Sequence, residues 1–184
     1  RITTNADHGY QTAPNLIGRN FDAIGPDKIW SSDVTYLWTR EGWLYLAVTM
    51  DVGTRRIVGW SMSNRLDAKL VTEALKMALT WRKPQKLIHH SDRGKEYACR
   101  AFRNQLCSKN ITQSMSRKGD CWDNAVVESF FKSLKSEIGY TTFATREEAR
   151  AAVFDWIEVF YNRQRLHSTL GYVAPTEYEE AIAS

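Results

Sequence analysis

The sequence predicts an α/β fold, a single mixed sheet with helices on both faces. Between residues 29 and 63, three runs rich in β-branched and aromatic residues follow one another across short polar turns. Beyond residue 67 the hydrophobic period changes, and helical stripes alternate with short apolar runs. The composition permits a proper core: 43% of the 184 residues are hydrophobic, enough to fill one domain. No run approaches the roughly 18–20 apolar residues of a membrane span.

Residues 1–26 hold Pro14, Gly18, Gly25 and Pro26 with few bulky apolar groups, and read as an extended arm or linker. From Ile29 to Trp38 the chain reads as a strand, turning at Arg40-Glu41-Gly42. Trp43 to Met50 is a second strand, Asp51 to Thr54 a turn, and Arg56 to Ser63 a third strand, so the three form an antiparallel meander. Asp67 caps a helix whose stripe is Leu70, Val71, Ala74, Leu75, Ala78 and Leu79, closed by Pro84. Leu87 to His90 is a short strand, a helix follows near Arg100 to Lys109, and another short strand runs from Ile111 to Met115. Asp123 or Asn124 then caps a helix with Val127, Phe130, Phe131, Leu134 and Ile138 on its apolar side. Thr145 to Glu148 has the form of a capping box ahead of a last long stripe, Ala149 to Phe160. Three strands, then helix, strand, helix, strand, helix is the order of the ribonuclease H-like fold. We divide the chain into an arm (1–26), a core (27–140) and a C-terminal helix and tail packed on that core (141–184).

The net charge of +4 leans toward a polyanionic partner. The lean is local: from Arg93 to Lys135 nine Lys or Arg face four acids. Cys99, Cys107 and Cys121 make no C-x-x-C pair and read as reduced, packed thiols rather than a disulfide or zinc framework. No signal peptide is legible, so a cytoplasmic protein is expected. The chain opens at Arg1 without Met, as a fragment or trimmed piece would.

Three acids stand out. Asp33 lies inside an apolar strand, where a carboxylate is costly unless paired or metal-bound. The competing reading is a partner for a buried Ser or Thr. Asp92 ends the fourth strand, before Arg93-Gly94, and can equally be a turn residue. Glu128 shares a helix face with Lys132 and Lys135 at i, i+4 and i+7. That face suits a metal ligand beside a polyanion, or merely a solvated ion pair. If strands 1 and 4 are neighbours, the three acids converge into an oxygen site for Mg²⁺ or Mn²⁺. His90 and His89 read as packed histidines, Asp51 as a turn residue, and Trp30, Trp38, Trp43, Trp60 and Trp81 as core rather than a base-stacking platform.

Residues 93 to 127 number 35, and that spacing between Asp92 and Glu128 resembles the D,D(35)E catalytic core of retroviral integrases and insertion-sequence transposases, the IS3 family above all. The resemblance is carried by Trp30 to Tyr36, His90 to Gly94, Ser114 to Phe131 and the tail Tyr161 to Pro175. It implies a DNA transposase core that cleaves and transfers DNA strands by in-line phosphoryl transfer, with Asp33, Asp92 and Glu128 holding two Mg²⁺ or Mn²⁺ ions. It implies double-stranded DNA as partner, a homo-oligomer on it, a bacterial cytoplasmic setting, and a DNA-binding region upstream of the arm. Lys132 and Lys135, and more weakly Arg117, Lys118, Arg163 and Arg165, are the expected DNA contacts. Two alternatives are a ribonuclease H-like nuclease, which commonly uses a fourth carboxylate, and a non-catalytic DNA-binding or assembly module of the same fold. Metal-dependent chemistry separates the enzymes from the module, and substrate choice separates the enzymes.

Overall fold

The computed structural model describes residues 9–18, 25–117, 124–139 and 141–183. Strands β1 (Ile29–Thr39), β2 (Gly42–Asp51) and β3 (Ile57–Ser63) form the expected antiparallel meander. Helix α1 (Ala68–Trp81) crosses to β4 (Ile88–Ser91), which pairs parallel with β1. Helices α2 (Lys95–Ala98) and α3 (Arg100–Ser108) lead to β5 (Thr112–Met115), parallel to β4. The five-stranded sheet runs β3-β2-β1-β4-β5, the ribonuclease H-like order. Helices α4 (Ala125–Glu137) and α5 (Arg146–Phe154) follow, then a π-helical stretch Asp155–Tyr161, a 3-10 turn Ser168–Leu170 and α6 (Pro175–Ala183). No helix among the described residues is long and apolar enough to cross a membrane.

The period-2 alternation of the strands sorts the core into two layers. Trp30 and Val34 of β1, with Tyr45 and Ala47 of β2, pack under α1 and α3. Leu37, Leu46, Val48 and Met50 face the other way, onto Val127, Phe130, Phe131 and Leu134 of α4 and Trp156 and Ile157 of the π-helical stretch. Odd-numbered β1 residues therefore look toward α4, and Asp33 is one of them.

Several local expectations need correcting. The helix expected near Arg100 to Lys109 is present as α3, but a further short helix, α2, precedes it, separated at Cys99, whose backbone is extended. Asp67 does cap α1, accepting from Leu70 N at 3.0 Å. Thr145 caps α5 as expected, accepting from Glu148 N at 3.1 Å. The return bond of the box is displaced by one residue, because Glu148 accepts from Ala144 N at 2.7 Å. The stripe from Ala149 to Phe160 is not one α-helix: from Asp155 the turns widen, and Asn162 N reaches back five residues to Ile157 O at 3.0 Å. Of the tryptophans read as core, only Trp30 is fully buried, whereas Trp38 and Trp81 are exposed. Cys107 is exposed rather than packed, and Cys121 lies outside the described residues.

The described part of the arm is docked on the edge strand β5: Leu16 N donates to Ser114 Oγ at 3.0 Å, and Met115 N to Pro14 O at 3.3 Å. The tail is equally well tied down. Asn162 clasps the start of β3 with both ends of its amide, accepting from Ile57 N at 2.9 Å and donating to Ile57 O at 3.1 Å. Tyr161 donates to Arg55 O at 3.1 Å. Glu179 of α6 is bound by Arg82, by Arg56 at 2.5 Å and by Thr54 at 2.8 Å. Asp51 is fully buried beside this group, 3.7 Å from Arg82. It accepts from Gly53 N at 3.0 Å, the turn role expected of it, and from Asp27 N at 2.7 Å. Burial, with Asp27 adding, pushes its carboxyl up to about 7 in spite of Arg82.

Helix α1 can lie this close to β3 because residue 59 has no side chain. A Cβ at Gly59 would fall 2.2 Å from Ala74 O and 2.8 Å from Ala78 N, both backbone atoms. Gly59→Ala is therefore expected to lower the unfolding free energy by about 3 kcal/mol, the upper end of overpacking costs. Urea unfolding measures it, and a loss under about 0.5 kcal/mol would mean that α1 slides freely on the sheet.

Candidate active site

The parallel pairing of β1 with β4 puts Ser32 opposite Ser91. The next residue along each strand is an acid, so Asp33 and Asp92 stand side by side at the centre of the sheet. Helix α4 brings the third. Its first residues are held over β1 by Asn124, whose Oδ1 accepts from the Ser31 hydroxyl and whose Nδ2 donates to Ser32 O at 3.4 Å. Asn124 occupies the N-cap position but makes no capping bond, which corrects its expected role; Asp123 lies outside the described residues. Glu128 follows one turn into α4, half-buried.

Asp92 and Glu128 both act electrostatically on Asp33. Asp33 is half-buried by area, yet protein atoms crowd it enough that desolvation is the largest influence on its acidity. Desolvation and then Asp92 raise its pKa well above the usual 3.8, and Glu128 adds to the rise, while the bond from Val34 N (2.7 Å) and the charge of Lys135 oppose it. Asp92 turns one oxygen to Gly94 N at 2.8 Å, so its turn role and its place beside Asp33 coexist. Lys135 is half-buried, its Nζ 4.7 Å from the Tyr36 ring centre; burial lowers its pKa and Asp33 pulls it back up.

Two further groups border the site that the sequence did not mark. Glu96 is 5% exposed, and a Cβ at Gly94 would lie 3.0 Å from Asp92 Oδ1 and 3.1 Å from Glu96 Oε2, so Gly94 separates two carboxylates. The Tyr97 hydroxyl is buried with no hydrogen-bond partner among the described residues. Its pKa is raised by burial and then by Asp33, Asp92 and Glu96. A Glu two residues past the Gly, followed by an aromatic carrying a polar group, was the available signal.

The donor set suits a hard divalent cation: three carboxylates, two of which raise the proton affinity of Asp33, and an orphaned hydroxyl beside them. The arrangement is open. Among the described residues no three His, Cys, Asp or Glu side chains form a ready-made metal cage. His89 and His90 stay out of it as expected, both fully buried and packed. His89 Nε2 bonds Ser32 Oγ at 2.8 Å, His90 Nδ1 bonds Ser114 Oγ at 2.9 Å, and burial lowers the His89 pKa to about 3.

The expected DNA contacts scatter. Lys132 is exposed, one turn beyond Glu128, and Arg117 is exposed at the end of the segment after β5. Lys118 lies outside the described residues. Arg163 is exposed on the tail, and Arg165 is bound to Glu137 at 2.7 Å and Ser133 at 3.1 Å on a different flank of α4 from Glu128.

The chain is similar to known proteins in family and in fold. Two family models described as integrase core domain match, over residues 24–121 and 109–175. The chain is 49% identical over 174 residues to the transposase InsF for insertion sequence IS3A of Escherichia coli (strain K12), covering 94% of this chain and 60% of that protein. It is 45% identical over 182 residues to the insertion element IS600 uncharacterized 31 kDa protein of Shigella sonnei, covering 98% of this chain and 67% of that one. The chain thus spans about 60% of the length of the transposases it matches. Among solved structures, the catalytic core domain of HTLV-2 integrase in complex with magnesium superposes with a TM-score of 0.61 at 14% identity, over 85% of this chain and 99% of that one. A chain of the simian T-cell lymphotropic virus intasome superposes with a TM-score of 0.67 at 15% identity, over 92% of this chain and 59% of that one. At such identities the likeness is one of fold.

The raised pKa of Asp33 has a measurable sign. A carboxyl more readily protonated folded than unfolded favours the folded state below its unfolded pKa, and that contribution is lost as pH rises through the folded value. In chelator, Asp33→Asn should therefore be more stable than the unsubstituted chain at pH 8, with the gap narrowing toward pH 4. Urea midpoints across that range test it; a gap that does not change with pH would mean that Asp33 ionises as easily folded as unfolded.

Proposed function

The chain belongs to the integrase core domain family, and on that premise we propose that it is the catalytic core of an insertion-sequence transposase, cutting and joining DNA strands by in-line phosphoryl transfer. One observation carries the reading: β1, β4 and α4 bring Asp92 and Glu128 within electrostatic reach of Asp33, on a frame fixed by the β1–β4 register and by Asn124.

In this reading Asp33, Asp92 and Glu128 hold the metal, two Mg²⁺ or Mn²⁺ ions. Bound there, divalent ions would supply Lewis acidity for displacement at phosphorus. The residues do the rest. Asp33, set in a central strand, gives the site its least movable ligand. Asp92 shares its carboxylate with Gly94 N and so keeps one orientation. Glu128, on a helix pinned at its first turn, closes the site from the α4 side. The Tyr97 hydroxyl, with no protein partner among the described residues, is free to hold a water beside the carboxylates. Lys132 and Lys135 extend the helix face from the metal ligands toward the phosphates of bound DNA. The substrate is double-stranded DNA, at the element's ends and at the target, in the bacterial cytoplasm. Joining two ends calls for more than one copy of the chain.

Glu128→Gln keeps the helix and removes one ligand charge. Strand cleavage and transfer on an element-end duplex should fall by about three orders of magnitude, the loss of about 4 kcal/mol of transition-state stabilisation. Duplex affinity in a gel-shift assay should stay within about twofold. Turnover near that of the unsubstituted chain would sink the assignment. Lys135→Ala should lower the slope of log affinity against log salt by about one. An unchanged slope would remove Lys135 from the DNA interface.

A further inference from the structure

The tail folds back over α4. His167 forms a bridge with Val173, and the short turn Ser168–Leu170 ends at Gly171, which takes a left-handed φ of 77°. Between the tail and α4 this leaves a cavity of about 380 Å³, within the range of small-ligand sites. The wall from α4 is its small-residue flank, where Ser129 and Ser133 stack at i and i+4. Glu128 is the residue next to Ser129 and points about 100° around the helix from it. The cavity is thus a neighbour of the triad, but not part of it.

Its chemistry is one-sided. Arg55 enters from the β2–β3 turn, where its backbone holds a left-handed φ of 61°, and Arg165 enters from the tail. No carboxylate lines the cavity among the described residues. Glu137 lies outside it and holds the Arg165 guanidinium at 2.7 Å. Ser133 Oγ accepts from Arg165 at 3.1 Å, which leaves the hydroxyl proton available to a ligand. His167 Nε2 lies in the wall, buried, with no hydrogen-bond partner among the described residues. Burial, and after it the charges of Arg165 and Arg55, together lower the His167 pKa to about 4, so the ring is neutral at pH 7 and feels both guanidiniums. Two cations, hydroxyl donors and an unspent ring nitrogen, with no anion in the lining, suit a multi-oxygen anion of the phosphate class.

We propose that this cavity is a second phosphate subsite, in which Arg55, Arg165, His167, Ser129 and Ser133 hold a backbone phosphate of the DNA strand that the triad processes. The inference rests on the proposed DNA-processing function. The two faces of α4 lie within about 10 Å of each other, a span of about three base-pair steps along the duplex axis. A strand engaged at Glu128 and passing over the start of α4 therefore reaches the cavity a few phosphates away. The tail signature Tyr161 to Pro175 then has a function: Tyr161 and Asn162 anchor the segment, and Arg165 and His167 present it to DNA.

The test uses the full chain with ¹⁵N-labelled histidine, in chelator so that no cleavage occurs. A random-sequence 20-base-pair duplex should shift the His167 ring resonances saturably, with the assignment made by His167→Gln. Ser129→Asp, which adds a carboxylate at an exposed helix position, should abolish that shift, weaken duplex binding about tenfold and lower the salt slope by about one. Duplex that binds without moving His167, or Ser129→Asp with unchanged affinity and slope, would overturn the proposal. A shift with inorganic phosphate and none with duplex would reassign the cavity to a free phosphate ligand and overturn the DNA subsite. The resonance measurement needs only the unsubstituted fold, so it decides even if Ser129→Asp does not fold. It is also independent of turnover: an unmoved His167 together with a dead Glu128→Gln removes the subsite and leaves the catalytic reading, and the reverse pair removes the catalytic reading alone.

Discussion

The parallel pairing of β1 with β4 is the constraint on which the rest depends. Pleating sends successive residues to opposite faces, so the register that sets Ser32 against Ser91 also decides that Asp33 and Asp92 arrive together. A slip of one residue would turn Asp33 toward α1, into the layer of Trp30 and Val34. The pairing is held on both sides, by the long β1–β2 ladder and by β5 against β4. The chain thus uses the centre of its sheet, paired on both sides, to hold groups that repel one another. Desolvation and mutual charge both work against an ionised Asp33, and the surrounding sheet is what keeps the acid in place.

Much of this was legible in the sequence. β-branched runs and short turns gave the meander, the helical stripes gave α1 and α4, and the interval from Asp92 to Glu128, through the family resemblance it carries, pointed to the proposed triad. Backbone and hydrophobic patterns are local, and one acid inside an apolar strand is conspicuous. What could not be read was each polar side chain's choice of partner. Asn124 sits where an N-cap belongs, and from the sequence nothing distinguishes capping its own helix from reaching Ser31 and Ser32, about ninety residues away. Glu96 looks like a first-turn helix residue until Gly94 is seen between it and Asp92. Trp81 is apolar and helical, yet it falls at the end of α1, past the sheet, and stands 78% exposed.

The C-terminal segment shows a different division of labour. The group around Arg82 gathers Asp27, Asp51 and Glu179 from three parts of the chain and ties α6 to the end of α1 and to the β2–β3 turn. Removing single members of such a buried group is costly, because each leaves an uncompensated charge. Asn162 closes the same region by neutral hydrogen bonds to Ile57. Glu137 joins the two ends of the story: it accepts from Trp156 Nε1 at 2.8 Å and pairs with Arg165, so the last turn of α4 holds both the π-helical stretch and the tail.

The widened turns from Asp155 to Tyr161 have one more effect. A regular α-helix through this stretch would carry Tyr161 and Asn162 to other bearings, away from Arg55 and Ile57. The wide turns act as a phase shifter between two gears. Upstream, Ala149 and Val153 mesh with the core at one pitch; downstream, Asn162 meshes with the start of β3 at another. The packing of α5 and the aim of the tail are thereby decoupled, and sequence drift in either can be absorbed at the coupling without moving the other.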